Sequence, residues 1–136
     1  MEWPDVAVHL GGLAHVATVR PDGHPHVAIV SPQLDGETVW VAVERSSTTA
    51  GNVAVTPLAA MVWSSGAEAY VDVEIDVVDE VATKERLWGG WAYEPAAFFG
   101  TPDSAGYVLL ACSPVRASVL VADASGPTRR GWRRTD

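Results

Sequence analysis

The stretch Leu13 to Val30, LAHVATVRPDGHPHVAIV, decides the fold, because two alternating apolar runs flank a Pro21-Asp22-Gly23 corner. Val16, Thr18 and Arg20 fall on one side of the first run, with Ala17 and Val19 on the other. Pro21 fixes its own φ, Asp22 can bond its own backbone, and Gly23 tolerates a positive φ, so the segment reads as a β-hairpin. On the returning strand His24, His26, Ala28 and Val30 share a face, since side-chain direction repeats every second residue.

Working outward, residues 2 to 12 read as a short amphipathic helix started by Trp3-Pro4-Asp5 and ended by Gly11-Gly12. A third strand, Thr38 to Val43, follows an Asp35-Gly36 turn and is expected to complete a meander with the hairpin. Ser46 to Val55 has an N-cap-type start and is closed by Pro57, which suits a helix. Leu58 to Trp63 reads as a buried strand. Ala69 to Val78 alternates Val71, Val73, Ile75 and Val77 against Asp72, Glu74 and Asp76, which marks a half-exposed strand.

From Asp79 the period becomes helical through Val81, Lys84, Leu87, Trp88 and Trp91, and a Pro- and Gly-bearing loop runs on to Gly106. Two final strands are expected at Tyr107 to Cys112 and Arg116 to Val121, separated by Ser113-Pro114. The prediction is therefore one mainly β domain over residues 1–136, a closed or partly closed barrel of six to seven antiparallel strands with a few short helices. Residues 122–136 are read as a basic C-terminal tail.

Bulk composition narrows the function. The 136 residues are 48% apolar and contain one cysteine, Cys112, so no intrachain disulfide can form. No secretory pattern or apolar run of about 20 residues is seen, and a reducing cytoplasm is the expected compartment. Net charge is −8, but four of nine basic residues lie in the last eight positions, leaving residues 1–128 with five basic against sixteen acidic groups. A body this acidic repels phosphate backbones and argues against a nucleic-acid partner.

Several clusters resemble chemistry without meeting its requirements. His24 and His26 could face one ion from the same strand, but two ligands do not make a metal site, and none is assigned. Asp72, Glu74 and Asp76 form a regular row on a wet face, where nothing drives their pKa values apart as acid–base catalysis needs. Cys112 sits in an apolar strand, where a thiol is buried and inert. Nucleophile elbows, phosphate-cradling loops with lysine and dinucleotide fingerprints are absent from the sequence. Trp88 and Trp91, spaced three apart, read as core.

The segment ATVRPDGHPHV, together with Leu87-Trp88, Phe98-Phe99-Gly100-Thr101-Pro102-Asp103 and the strand Tyr107 to Leu110, resembles the flavin-binding split-barrel proteins related to pyridoxamine 5′-phosphate oxidase, in particular their general-stress-protein branch. The resemblance implies a homodimeric FMN-binding oxidoreductase with the cofactor at the subunit interface. In that family the strand ending at Glu44 and the following helix start hold the phosphate, which implies Arg45, Ser46, Ser47 and Thr49 here. His26, Ala28 and Val30 would border the ring.

A dianion at a helix N-terminus beside a guanidinium is sound chemistry. Yet the Arg-Lys pair frequent in the family after this serine is Thr48-Thr49, and the arginine of the second strand is Ala28. At roughly 1.5–3 kcal/mol per charged hydrogen bond, losing two lowers affinity by about two to four powers of ten. Three ligand states follow: weakly held FMN, a different planar ligand such as a deazaflavin or haem, or no cofactor at all. In the last case the chain would be a non-enzymatic binding or sequestering dimer.

Overall fold

A computed structural model describes residues 1–135. The hairpin forms as expected: β1 (Ala14–Val19) pairs antiparallel with β2 (Pro25–Val30), from Ala14 opposite Val30 to Val19 opposite Pro25. At the corner the Gly23 amide donates to the Arg20 carbonyl at 2.8 Å, and the His24 amide to Asp22 Oδ1 at 3.0 Å. Gly23 sits at φ 91°. Gly23→Ala forces a side chain into that left-handed conformation and is expected to cost about 1 kcal/mol, read from the urea midpoint at unchanged m.

The other elements are α1 (Trp3–Ala7), β3 (Gln33–Asp35), β4 (Thr38–Glu44), α2 (Thr48–Val55), β5 (Leu58–Trp63), β6 (Glu68–Val78), α3 (Val81–Leu87), α4 (Ala96–Phe99), β7 (Tyr107–Asp123) and β8 (Gly126–Arg133). A single 3₁₀ turn, Trp88–Gly90, follows α3. All eight strands belong to one antiparallel sheet in the order β2-β1-β5-β6-β7-β4-β3, with β8 also pairing β7. The architecture is mainly β, as the alternating patterns demand, with eight strands rather than six or seven.

Four local expectations are corrected. The first helix is only five residues long, because its capping box closes on Glu2 and Asp5 and the chain turns before Gly12, at φ 78°. The third strand does not extend the hairpin into a meander: β4 pairs with β3 and β7, at the other end of the sheet from β2. Period-2 patterning sets which face is buried but not which strand lies alongside. Leu58 to Trp63 is not buried throughout, since Leu58 is 54% exposed at the sheet's outer face.

The fourth correction concerns the C-terminal third. Ser113-Pro114 does not divide two strands. It lies within the 17-residue β7, where the register against β6 shifts between Asp72 and Val73, so that Asp72 faces Arg116 and Val73 faces Pro114. The extra residue, Val115, is a bulge, which is where a strand accepts proline. Gly126–Arg133, read as tail, is β8, and arginines of the C-terminal segment serve this same chain: Arg129 of β8 donates to Ser118 Oγ at 2.7 Å, and Arg134, just past the strand, to Glu74 at 2.7 Å.

Two cores result. Inside the curved sheet Val16, Val41, Met61, Trp63, Val71, Leu110 and Cys112 pack together, closed off by Trp3, Val6 and Val53 from α1 and α2. On the outer face of β4 and β7, Trp40, Tyr107 and Leu109 pack under Leu87 and Trp91. This explains why Tyr107 to Leu110 are buried on both faces and why 27 residues intervene between Asp79 and Tyr107. Trp88 and Trp91 belong to this second core, although Trp91 lies beyond the helix. Gly90 lies against the Gln33 amide, which a side chain there would push aside from the Leu87 carbonyl it bonds. None of the helices among the described residues is long and apolar enough to cross a membrane.

Candidate functional site

The strands β2 and β3 end the hydrogen-bonded path, so the sheet has a seam between the β1–β2 hairpin and the β3–β4 ribbon. A groove of about 400 Å³ lies along it, lined by Leu13, Ile29, Val30 and Ser31 on one side and by Ala42, Val43 and Glu44 on the other. Tyr93, Phe98 and Phe99, from the segment before β7, complete the wall. That volume is within the range of small-molecule sites. Phe98 is 63% exposed and meets Tyr93 edge-on, with ring centroids 5.4 Å apart. Burial pushes the Tyr93 phenol up to about 12, so it stays neutral across the physiological range.

Beyond Glu44, at the end of the groove, the chain turns through Arg45 and Ser46 into α2. Ser47 is the N-cap, its Oγ accepting from the Ala50 amide at 3.1 Å. The Thr48 and Thr49 amides of the first turn lack intrahelical acceptors, which leaves donors and partial positive charge at this end of the helix. Ser46 is exposed.

Arg45 is tied in place. Its Nε donates to the Ala105 carbonyl at 2.7 Å and its terminal nitrogen bonds Asp79 Oδ2. The other Asp79 oxygen accepts from Lys84 Nζ at 2.9 Å, and Nζ also donates to the Ser104 carbonyl at 3.1 Å. Lys84 is only 2% exposed, beneath the half-exposed Asp79. Hydrogen bonds from Lys84 and then Arg45 hold the Asp79 carboxyl below the ordinary carboxylate range. Two cations thus share one anion, so the Arg45–Asp79–Lys84 triad carries +1, which the exposed Glu44 carboxylate just before Arg45 offsets, while further guanidinium donors remain.

Of the residues expected to line a site, Val30 lines the groove, while Arg45, Ser46 and Ser47 do not line it but follow Glu44 in the turn that leads into α2. Ala28 packs against the inner core instead. His26 is half-buried opposite Thr18, with Nδ1 3.3 Å from the Arg20 guanidinium. Thr49 is only 4% exposed, on the inward side of α2. Sequence reading missed Tyr93, Phe98, Asp79 and Lys84. The aromatic density of Trp91-Ala92-Tyr93 and Phe98-Phe99 was the available signal for the first two.

An antiparallel sheet left open at a seam and closed over by short helices defines the split barrel of the pyridoxamine 5′-phosphate oxidase-related proteins, and the chain has this fold. General stress protein 26 from Bacillus anthracis str. Sterne superposes with a TM-score of 0.77 at 15% identity, covering 96% of this chain and 97% of that one. A pyridoxamine 5′-phosphate oxidase-related, FMN-binding protein from Nostoc punctiforme matches at 0.69 and 17% identity, over 91% and 81% of the two chains. An F420 reductase matches at 0.63 and 25% identity, over 81% and 91%. No family model matches the chain, and no curated protein sequence matches it.

Proposed function

We propose that the protein is a cytoplasmic, homodimeric oxidoreductase that binds FMN, or a deazaflavin in its place, at the subunit interface. The observation that carries this reading is the seam groove ending at the Arg45–Ser47 turn, in a fold shared with FMN-binding and F420 reductase structures. Arg45, the Ser46 hydroxyl and the first-turn amides of α2 would hold the phosphate, and Val30 would border the ring. Bound flavin would supply the electron transfer, while this chain would orient it and exclude water. Ser47 would act through its cap and Thr49 through its amide, since its side chain faces inward.

The donor set fits a phosphate, though sparsely. Arg45 brings one guanidinium partly neutralised by Asp79, and Lys84 beneath brings that triad to +1, against which stands the exposed Glu44. The interface is supported by an apolar outer face on β1, β2 and β5. Val19, Val27, Ile29 and Leu58 are between 43% and 65% exposed there, beside Asp72, Glu74 and Arg116. A contiguous patch of this kind marks an association surface. Ile29 also lines the groove, so a second copy seated on this face would cover its mouth.

The test is the visible spectrum of the purified chain, followed by calorimetry with FMN. Thr48→Lys adds a cation at the exposed first helical residue and is expected to tighten FMN by about tenfold. Absence of flavin absorbance, with no heat at high micromolar FMN in either form, overturns the cofactor reading. A sequestering, non-enzymatic dimer is the second reading, favoured by Thr48-Thr49 standing where cations would be. Binding without electron transfer from a reduced nicotinamide or deazaflavin would select it.

A further inference from the structure

We propose that the open edge of β8 takes an extended acidic segment of a partner protein as an added antiparallel strand, with carboxylates set against Arg130 and Arg133. The proposal goes beyond the cofactor reading, and β8 lines neither the seam groove nor the apolar outer face given to a second copy. It pairs only β7 and stands three strands from β5, past β6 and β7. Six of its eight residues are exposed. Apart from the β7 ladder, no hydrogen bond reaches the β8 backbone among the described residues. Such an edge is a template for one more strand, and proteins blunt it by shortness, proline, bulges or charge. Beyond Pro127 at its start, only charge guards this one, and the charge is of a single sign.

Arg130 and Arg133 have no hydrogen-bond or ion-pair partner among the described residues, whereas Arg129 bonds Ser118 and stands 5.9 Å from the Tyr70 ring centroid. The acids nearby are engaged: Asp72 with Arg116, Glu74 with Arg134, Asp123 with Ser125, and Asp5 with the Glu2 amide. Arg133, opposite Arg116, lies on the outer face, and Arg130, opposite Val119, lies on the side of Trp132. An antiparallel partner would thus carry one acid opposite Arg133 and another three residues on, opposite Arg130, with an apolar residue against Trp132. Main-chain bonds give such a strand its affinity, and the side chains opposite give it specificity. A second copy is the poorer occupant, since two-fold pairing centred on Gly131 would set Arg129 against Arg133, like charge on like. Nucleic acid is the poorer one too, because its phosphates would face the acidic body.

The experiment titrates the full chain with the dansyl-labelled peptide TEVTETVT, whose glutamates fall opposite Arg133 and Arg130 when its first valine lies opposite Trp132, at about 0.15 M salt. It is expected to bind at high micromolar concentration, and the same peptide with lysine at both glutamate positions at least about tenfold more weakly. Arg133→Gln should weaken binding by about twofold to fivefold, and adding Arg130→Gln by a similar factor again. Arg86→Gln, which removes an exposed arginine outside β8, should leave it unchanged. Of two forms of the peptide N-methylated on alternate residues, one should bind and the other should not, because only every second amide of an added strand faces its neighbour. No binding, equal binding of the lysine peptide or of the two methylated forms, or an equal loss in Arg86→Gln overturns the proposal. So does displacement by oligothymidylate, which would put nucleic acid at this edge, or a halved solution mass on adding peptide, which would make the edge the contact between copies. The peptide result is read with or without FMN present, so this proposal and the cofactor reading fail separately.

Discussion

Asp79→Ala is expected to lower stability by about 3 kcal/mol and the thermal midpoint by about 10 °C, although the residue it removes is half-exposed. The loss falls on Lys84. With the carboxylate gone, an ammonium 2% exposed keeps only the Ser104 carbonyl as a hydrogen-bond acceptor, with the Tyr107 ring 5.7 Å away. Breaking one half of a buried pair costs more than removing both. Asp79→Asn combined with Lys84→Met should therefore recover most of the loss, because the thioether fills the lysine's stem volume without a charge. If the double variant is as unstable as Asp79→Ala, the burial argument is wrong.

The same carboxylate sets an acid limit. Its native pKa is depressed below the ordinary 3.8, so its contribution is complete above that value and is lost as pH falls through the lower native one. Differences in stability between the parent and Asp79→Asn should thus be constant near neutrality and shrink only below about pH 4. On the same charge balance, Asp79→Ala, which removes the anion beside Arg45, should leave FMN binding no weaker, whereas Lys84→Met with Asp79 retained removes a cation and should weaken it.

Val27→Glu is expected to halve the solution mass measured by light scattering and, with it, to release the flavin. Val27 is 58% exposed at the middle of the outer face, opposite Ala17 on β1, so the fold loses little by the change. A two-fold contact through this face would set two new carboxylates close together in a surface already acidic from Asp72 and Glu74, a cost of several kcal/mol at a desolvated interface. A parent chain that is monomeric at every concentration, or a variant that remains dimeric, would refute the interface.

The legible and illegible parts of this molecule divide along a physical line. Hairpin β1–β2, the presence of a helix within Ser46 to Val55 and the alternation of β6 could be read because each is decided by residues within a few positions of one another. The partner of β4 could not, since Val39 to Glu44 meets residues nearly seventy positions away. Strand β8 was hidden for another reason: pairing only β7, it keeps Gly126, Pro127 and its arginines exposed or half-exposed, and Trp132 against Trp3 is its one apolar anchor. At the candidate site, Arg45 and Ser47 were named through the family resemblance rather than from any local pattern. Asp79 and Lys84 were not, because a helical period shows that a lysine lies on a helix, not that it is covered.

Strand β7 has one more consequence. The β3–β4 ribbon joins the rest of the sheet only through it, as do β8 and the far side of β6. During synthesis on a ribosome, therefore, about the first hundred residues emerge with their longest edges unpaired, and neither the seam nor the aromatic core over Trp40 can form until β7 has left the exit tunnel. Nascent chains of this protein should depend on chaperones holding those edges apart until late in translation.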